Sequence, residues 1–230
     1  MPDADTVELR AAERSPKGES AERVVLDTNL GRITCRLHDA PPGDAAVLWV
    51  FGSGGGLGGP AGGVYARLGR QMAGKGVASL ELDYRWPAAL RDCVLDVLLG
   101  IAYLATLGRT RIVLVGHSFG GAVVITAGAI SQDVEAVAAL SSQSHGTELV
   151  DRISPRPLLV AHGEADEVLP AACSRDIYER AGEPKRLVLY PGCRHGLDQC
   201  RETLDRDLLA WLLEVTQARP GDAQQVRPAR

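Results

Sequence analysis

Short apolar runs alternate with longer amphipathic stretches between residues 21 and 216 of this chain. The runs 46–51 and 134–140 are continuously apolar, which is typical of strands that are covered on both faces. The stretches 88–106 and 200–216 place apolar side chains at helical spacing, as in helices that pack one face against a sheet. This alternation predicts an α/β fold with a mostly parallel central sheet of about eight strands and helices on both faces.

The same pattern predicts where the individual elements lie. Strands are expected at 24–26, 33–37, 46–51, 77–82, 112–115, 134–140, 157–161 and 186–190, and helices at 62–73, 88–106, 122–130, 171–181 and 200–216. The first two strands flank Asn29-Leu30-Gly31 and predict an antiparallel hairpin at one edge of the sheet. We expect a single domain over 21–216. Residues 1–20 and 217–230 are charged and lack apolar periodicity, which predicts a mobile arm at each end.

Composition and charge argue against several classes of function. The chain has 230 residues and a formal net charge of −4 at pH 7, and it lacks the clustered basic face that nucleic-acid binding requires. It has no apolar run long enough to span a membrane, and its acidic, polar start is unlike a signal peptide. An odd number of cysteines without a regular framework predicts reduced thiols and a cytoplasmic location. The cysteines are Cys35, Cys93, Cys173, Cys193 and Cys200.

The first candidate for chemistry is the turn Gly116-His117-Ser118-Phe119-Gly120. It joins a β-branched apolar run to a segment of small, apolar residues that can form a helix. In this strand–turn–helix context, the pattern G-x-S-x-G is typical of a turn that carries a nucleophilic serine. A tight turn of this kind exposes the hydroxyl of Ser118 and brings backbone N–H groups close to it. The alternative is an ordinary glycine-rich strand–helix turn in which Ser118 only caps the helix.

A serine hydroxyl needs a base, and two later strands are followed by suitable side chains. Asp166 comes 48 residues after Ser118, and His195 comes 29 residues after Asp166, each just past a predicted strand. Because functional groups collect at the carboxyl ends of parallel strands, we expect these side chains to meet Ser118 as a Ser-His-Asp triad. Glu164 and Glu167 are rival carboxylates. Asp166 as a helix cap and His195 as a loop histidine are the structural alternatives.

A glycine-rich loop, Gly52–Gly59, follows the third predicted strand. Its bare backbone can turn N–H groups toward a developing oxyanion. We expect one oxyanion donor to be the amide of Phe119 and the other to be the amide of Ser53 or Gly54. A phosphate-binding loop is the rival interpretation, but no Gly-Lys-Ser/Thr follows and the loop has no basic residue.

Four further residues are candidates for the substrate pocket: His117, His145, Tyr84 and Arg85. His145 follows a strand, but the sequence favours an ordinary loop histidine over a pocket residue. His117 adjoins the nucleophile and is alternatively a packing residue, and Arg85 is alternatively a structural ion-pair partner. We expect no metal and no cofactor, because the spacing of the histidine and cysteines between 193 and 200 fits no zinc template.

The ordered set of motifs resembles the α/β-hydrolase superfamily, and in particular small lidless members similar to the dienelactone hydrolase group. The segments that carry the resemblance are Phe51–Gly56, Leu82-Asp-Tyr-Arg85, Gly116–Gly121, His162–Pro170 and Tyr190–Gly196. The resemblance implies an α/β-hydrolase fold without a large cap domain, and acyl-group hydrolysis, usually of an ester. Two features depart from the group. Many dienelactone hydrolases carry a cysteine where this chain has Ser118, and Phe51-Gly-Ser-Gly54 replaces the His-Gly form of the oxyanion loop.

The function expected from these features is a serine carboxylesterase that acts on small acyl esters. The interval 141–154, where a lid is commonly inserted in this fold, is short and mostly polar. The alternatives are a thioesterase, amidase or acyl transferase with the same triad, and a ligand-binding protein on a hydrolase scaffold. The expected partner is a small acyl substrate, with no nucleic acid and no membrane.

Overall fold

A nine-stranded sheet runs through the part of the chain that the computed structural model describes, residues 7–17 and 21–217. Its strands are β1 (Leu9–Lys17), β2 (Ala21–Thr28), β3 (Gly31–His38), β4 (Ala45–Val50), β5 (Ala78–Asp83), β6 (Arg111–His117), β7 (Val134–Leu140), β8 (Leu158–Gly163) and β9 (Lys185–Tyr190). The α-helices of the described part are α1 (Pro60–Ala73), α2 (Leu90–Thr106), α3 (Phe119–Ile130), α4 (Ala172–Arg180) and α5 (Arg201–Gln217).

The strands lie in the order β1-β2-β3-β5-β4-β6-β7-β8-β9. From β5 to β9 every neighbouring pair is parallel, whereas β1, β2 and β3 join as an antiparallel extension at one edge. The mostly parallel α/β sheet and the hairpin between β2 and β3 are therefore confirmed. Because the carboxyl ends of β4, β6, β7 and β8 meet at one edge, the loops that follow them are brought together.

The sheet separates two apolar layers. Along β4 the side chains alternate, so that Leu48 packs in the layer that contains α2, α3 and α4, while Trp49 packs in the layer that contains α1 and α5. All residues of β4 are buried, which explains why its sequence is continuously apolar. The ring of Trp49 lies 5.0 Å from the ring of Tyr65 on α1. This two-sided packing holds the central strands, and with them the loops at their ends.

The mobile arm expected at 1–20 is wrong for Leu9–Lys17, which form β1 and raise the strand number above the expected eight. Residues 10–15 of this strand are exposed, so its position depends on backbone pairing with β2 and on ion pairs such as Arg14 with Glu22 at 2.7 Å. Among residues 9–15, Leu9 alone packs against the core, so the strand offers no hydrophobic periodicity that could reveal it. The rest of the two expected arms, residues 1–6, 18–20 and 218–230, lies outside the described residues.

The strand–helix turn at Ser118 depends on close backbone contact. A Cβ atom on Gly116 would lie against the carbonyl oxygen of Gly120, and a Cβ on Gly120 would lie against the carbonyl oxygen of Phe51, both far inside van der Waals contact. Only glycine permits β6, α3 and the end of β4 to approach this closely. The glycines of the motif are therefore a packing requirement of the turn.

The segment between β7 and β8 contains only a short 3-10 helix, Val150–Ile153. It joins neighbouring parallel strands and packs against α3 and α4. No cap domain is inserted at this point of the described chain, as expected. The edge of the sheet that carries the loops is left uncovered there.

The expectation of reduced thiols is wrong for one pair of cysteines. Cys193 and Cys200 form a disulfide with their Cα atoms 5.7 Å apart, while the remaining three are free. The loop between them folds back because Leu197 adopts a left-handed conformation with φ 60° and donates its N–H to the carbonyl of Arg194. Spacing alone did not show this reversal. The cytoplasmic location, which was inferred partly from the thiols, stays a prediction.

Replacing Gly116 with alanine should destabilise the fold by about 3 kcal/mol, because the new methyl group meets backbone that cannot move aside. Gly74→Ala is the matched control. Gly74 has φ −63°, and a Cβ there would make only ordinary contacts of 3.5 Å and more. Urea unfolding curves measure both. Equal stability of the two variants would contradict the packing requirement.

Replacing both Cys193 and Cys200 with serine should lower the free energy of unfolding by about 2 kcal/mol, because the unfolded chain regains the freedom of the closed loop. This corresponds to a fall in Tm of about 5 °C for a chain of this size. Cys173→Ser serves as the control because Cys173 is free and only half-buried. The measurement is the Tm of both proteins, with and without dithiothreitol to reduce the disulfide. Equal Tm values for the double variant and the wild type under both conditions would show that the disulfide adds no stability.

Candidate active site

Ser118 lies between the last residue of β6 and the first residue of α3. Its backbone has φ 57° and ψ −123°, a conformation that non-glycine residues rarely adopt. The turn is held because Ser118 donates its N–H to the carbonyl of Leu140 at 2.8 Å and accepts the N–H of Gly121 at 2.9 Å. Strain that is maintained by surrounding bonds is typical of functional positions.

The structure brings Ser118, His195 and Asp166 into one hydrogen-bonded chain. Nε2 of His195 lies 3.0 Å from Oγ of Ser118, and Nδ1 of His195 lies 2.7 Å from Oδ2 of Asp166. The carboxylate only accepts, so the imidazole donates from Nδ1 and its Nε2 is free to accept the serine proton. The arrangement can therefore remove a proton from Ser118.

The carboxylate of Asp166 is completely buried, with its side chain 0% exposed. Oδ1 accepts the backbone N–H groups of Val168 at 2.8 Å and of Leu169 at 2.9 Å. Burial by itself raises the pKa of Asp166, but the hydrogen bonds from Leu169, His195 and Val168 outweigh it and leave the pKa below its ordinary value. Asp166 is thus ionised at neutral pH.

The rival carboxylates point elsewhere. Glu164 lies 3.7 Å from Arg175 and Glu167 lies 3.9 Å from Arg194, and both are substantially exposed. Surface pairs of this kind contribute little energy. Of the three acidic residues in this loop, Asp166 is the one that contacts His195.

His117 lies under the imidazole of His195. Its Nε2 donates to the backbone carbonyl of His195 at 2.9 Å, and the two rings are 4.9 Å apart. Burial lowers the pKa of His117 to about 4, so the ring is neutral at physiological pH. The other side of the ring packs against Phe51, 5.4 Å between ring centres. This placement favours the packing interpretation of His117 over a pocket residue.

The loop after β4 passes directly beside Ser118, the candidate nucleophile. A Cβ on Gly52 would lie 3.5 Å from Cβ and 3.9 Å from Oγ of Ser118. Ser53 and Gly54 form the exposed tip of a turn closed by the N–H of Gly55 and the carbonyl of Gly52 at 3.0 Å. Phe119, the other expected donor, is the first residue of α3, and its N–H has no acceptor within the helix.

Two carboxylates of β5 hold the far side of this loop, a feature that the sequence analysis missed. Asp83 accepts the N–H of Gly56 at 2.6 Å, and Glu81 accepts the N–H of Gly58 at 2.7 Å. Charged acceptors make strong hydrogen bonds to backbone amides. The signal was present in the sequence as two acidic residues on a largely buried strand that otherwise carries Ala78, Ser79, Leu80 and Leu82.

Of the other three pocket candidates, the side chains of Tyr84 and Arg85 are buried and bind neighbouring groups of the protein, whereas His145 is exposed. Tyr84 is buried and donates its hydroxyl to the carbonyl of Phe51 at 3.2 Å. The side chain of Arg85 is 2% exposed and donates to Asp96 at 2.5 Å, so the structural ion pair is the interpretation that the geometry favours. His145 is exposed and lines an open cavity of about 550 Å³ with Glu148, Asp176 and other polar residues.

Within residues 7–17 and 21–217, no group of three or more histidine, cysteine, aspartate or glutamate side chains is arranged to hold a metal ion. Among the helices of the same residues, none is both long enough and apolar enough to cross a bilayer.

Comparison with known proteins adds a partial family match. The family model described as serine aminopeptidase matches residues 136–199, a segment that contains Asp166 and His195 but not Ser118. The uncharacterized protein YfhR of Escherichia coli is 29% identical over 131 residues, which are 47% of this chain and 46% of YfhR. The bifunctional esterase/perhydrolase DCH of Acinetobacter calcoaceticus is 36% identical over 72 residues, 31% of this chain and 26% of DCH. The aligned part of this chain therefore spans less than half the length of either relative.

Solved structures match over most of the chain. Est1E from Butyrivibrio proteoclasticus superposes with a TM-score of 0.73 at 19% identity, covering 87% of this chain and 100% of Est1E. A dienelactone hydrolase from Anabaena variabilis superposes with a TM-score of 0.72 at 16% identity, covering 86% of this chain and 99% of the hydrolase. At these identities the similarity concerns the fold. Together with the parallel core, it shows that the described chain has the same kind of fold as Est1E and this dienelactone hydrolase, with no cap domain inserted between β7 and β8.

Proposed function

We propose that this protein is a serine hydrolase that cleaves small carboxylic esters. The observation that carries the proposal is the continuous chain from the Ser118 hydroxyl through His195 to the buried Asp166. A strained serine beside a correctly oriented imidazole is the arrangement that activates a hydroxyl for acyl transfer.

In the proposed reaction, Oγ of Ser118 attacks the ester carbonyl while Nε2 of His195 takes the hydroxyl proton. Asp166 stabilises the imidazolium that forms. The oxyanion receives the N–H of Phe119 and an N–H from the Gly52 turn, where the close approach of Gly52 to Ser118 supports the amide of Ser53. His195 returns the proton to the leaving alcohol. A water molecule then repeats the sequence on the acyl-enzyme and releases the acid.

The uncovered edge of the sheet supports small acyl groups as substrates. The segment between β7 and β8 supplies one 3-10 helix and no amphipathic cap, so little apolar surface is available to bury a long chain. Each CH₂ group of the acyl chain that stays in water loses the binding free energy of about 0.8 kcal/mol that its burial would contribute. The esterase DCH, which matches part of this chain, is a further reason to propose an ester substrate.

Amide or peptide hydrolysis is the second candidate, because the partial family match carries the description of an aminopeptidase. The same triad serves both reactions. Rates on p-nitrophenyl acetate and on an aminoacyl p-nitroanilide distinguish them. A ligand-binding role without chemistry would instead give tight binding and negligible kcat.

Ser118→Ala should abolish labelling by a fluorophosphonate probe and lower kcat by roughly 10⁴–10⁶, because the attacking atom is lost. His195→Ala should be nearly as damaging, and Asp166→Asn should cost about 10⁴ by favouring the wrong tautomer. Ser53→Ala is the control, since it keeps the backbone amide and should retain labelling. Labelling of Ser118→Ala at Ser53 or Ser142 would show that the nucleophile is elsewhere.

Across p-nitrophenyl esters from acetate to palmitate, kcat/KM should be highest for acetate to butyrate. The reason is the lack of a covering apolar wall at the edge of the sheet. Addition of lipid droplets should give no interfacial activation. A steady increase of kcat/KM toward palmitate would instead demonstrate an acyl tunnel and overturn this substrate assignment.

A further inference from the structure

A second histidine lies against the carboxylate of Asp166. His162, near the end of β8, is completely buried, and its Nε2 lies 3.0 Å from Oδ2 of Asp166. This is the same carboxylate oxygen that accepts Nδ1 of His195 at 2.7 Å. Asp166 is therefore placed between two imidazoles, of which only that of His195 contacts the nucleophile.

The partners of His162 determine where its proton lies. Nε2 faces two groups that can only accept, the carboxylate of Asp166 and the carbonyl of Leu169, both at 3.0 Å. Nδ1 lies 2.6 Å from Oγ of Ser174 on α4, a hydroxyl that can donate. Burial lowers the pKa of His162, so the ring carries one proton. These partners place that proton on Nε2, with Ser174 donating to Nδ1.

Leu169 closes the arrangement into a ring. Its N–H donates to Oδ1 of Asp166 at 2.9 Å, while its carbonyl accepts from His162. His162 thus touches Asp166 directly and also binds the residue whose N–H donates to the other carboxylate oxygen. The ionisable groups around His162 are Asp166, His195 and His117.

We propose that His162 and Ser174 are positioning residues for the triad: Ser174 orients the ring of His162, which hydrogen-bonds the carbonyl of Leu169 and lies in contact with Oδ2 of Asp166. The inference rests on the proposed serine hydrolase function. Removing the N–H of His162 leaves the carbonyl of Leu169 without that donor, and it takes a polar group away from Oδ2 of Asp166. Because the N–H of Leu169 binds Oδ1, the buried carboxylate becomes less firmly oriented. His162 touches no reacting atom, so its effect reaches the reaction through Asp166.

The test compares His162→Phe with His162→Gln. Phenylalanine fills the space but offers no donor, whereas glutamine can place its amide nitrogen near the position of Nε2. His162→Phe should lower kcat for p-nitrophenyl acetate about tenfold, the effect of about one lost hydrogen bond, and leave KM within about twofold. His162→Gln should recover most of kcat. A folded His162→Phe variant with wild-type kcat, or equal losses in both variants, would overturn the proposal.

Long-range ¹H–¹⁵N NMR spectra of the wild-type protein provide a readout that is independent of turnover. His162 should be the Nε2–H tautomer at neutral pH, and Ser174→Ala should shift its ring resonances and lower kcat several-fold. This variant also serves if His162→Phe does not fold. A wild-type His162 in the Nδ1–H form would exclude donation to the carbonyl of Leu169 and overturn the proposal. A wild-type protein that neither cleaves esters nor reacts with the fluorophosphonate would instead contradict the proposed function. The tautomer of His162 could still be measured in that protein.

Discussion

The close approach of three backbone segments around Ser118 is the constraint on which the site depends. The end of β4, the end of β6 and the start of α3 meet where Gly116 and Gly120 leave no room for a side chain. This contact sets Ser118 in its left-handed conformation and brings Gly52 beside its hydroxyl. The candidate nucleophile and the candidate oxyanion loop are therefore positioned by one packing arrangement, which is built from backbone.

Electrostatic compensation is the second requirement, and it is concentrated at Asp166. A carboxylate with no exposure is stable only when donors surround it. Here the donors are two backbone amides and the imidazole of His195, with the Nε2 of His162 close by. The loop after β8 and the start of α4 are arranged around this one charge. The same donors that stabilise the ionised form also fix the direction in which His195 presents its free nitrogen.

The loop that carries His195 is held from several sides. Its backbone carbonyl accepts from His117, the carbonyl of Cys193 accepts the N–H of Ala165, and the disulfide to Cys200 closes the loop below. A base on a loop loses less catalytic geometry when its backbone is bound in this way. The free nitrogen of the imidazole nevertheless faces the uncovered edge of the sheet, with the side chain 19% exposed, which is compatible with entry of a small substrate.

The sequence by itself determined the parallel α/β core, the strand–turn–helix at Ser118 and the order in which Asp166 and His195 follow. It did so because continuous apolar runs, helical spacing and glycine turns are local properties of the chain. Tertiary structure alone decided the features that depend on distant pairing. Residues 10–15 of β1 are exposed, the disulfide requires the loop at Leu197 to reverse, and Arg85 forms a buried ion pair with Asp96. The contact of His162 with Asp166 likewise arises because β8 and the turn after it fold back on each other, a juxtaposition that no periodicity along the chain records.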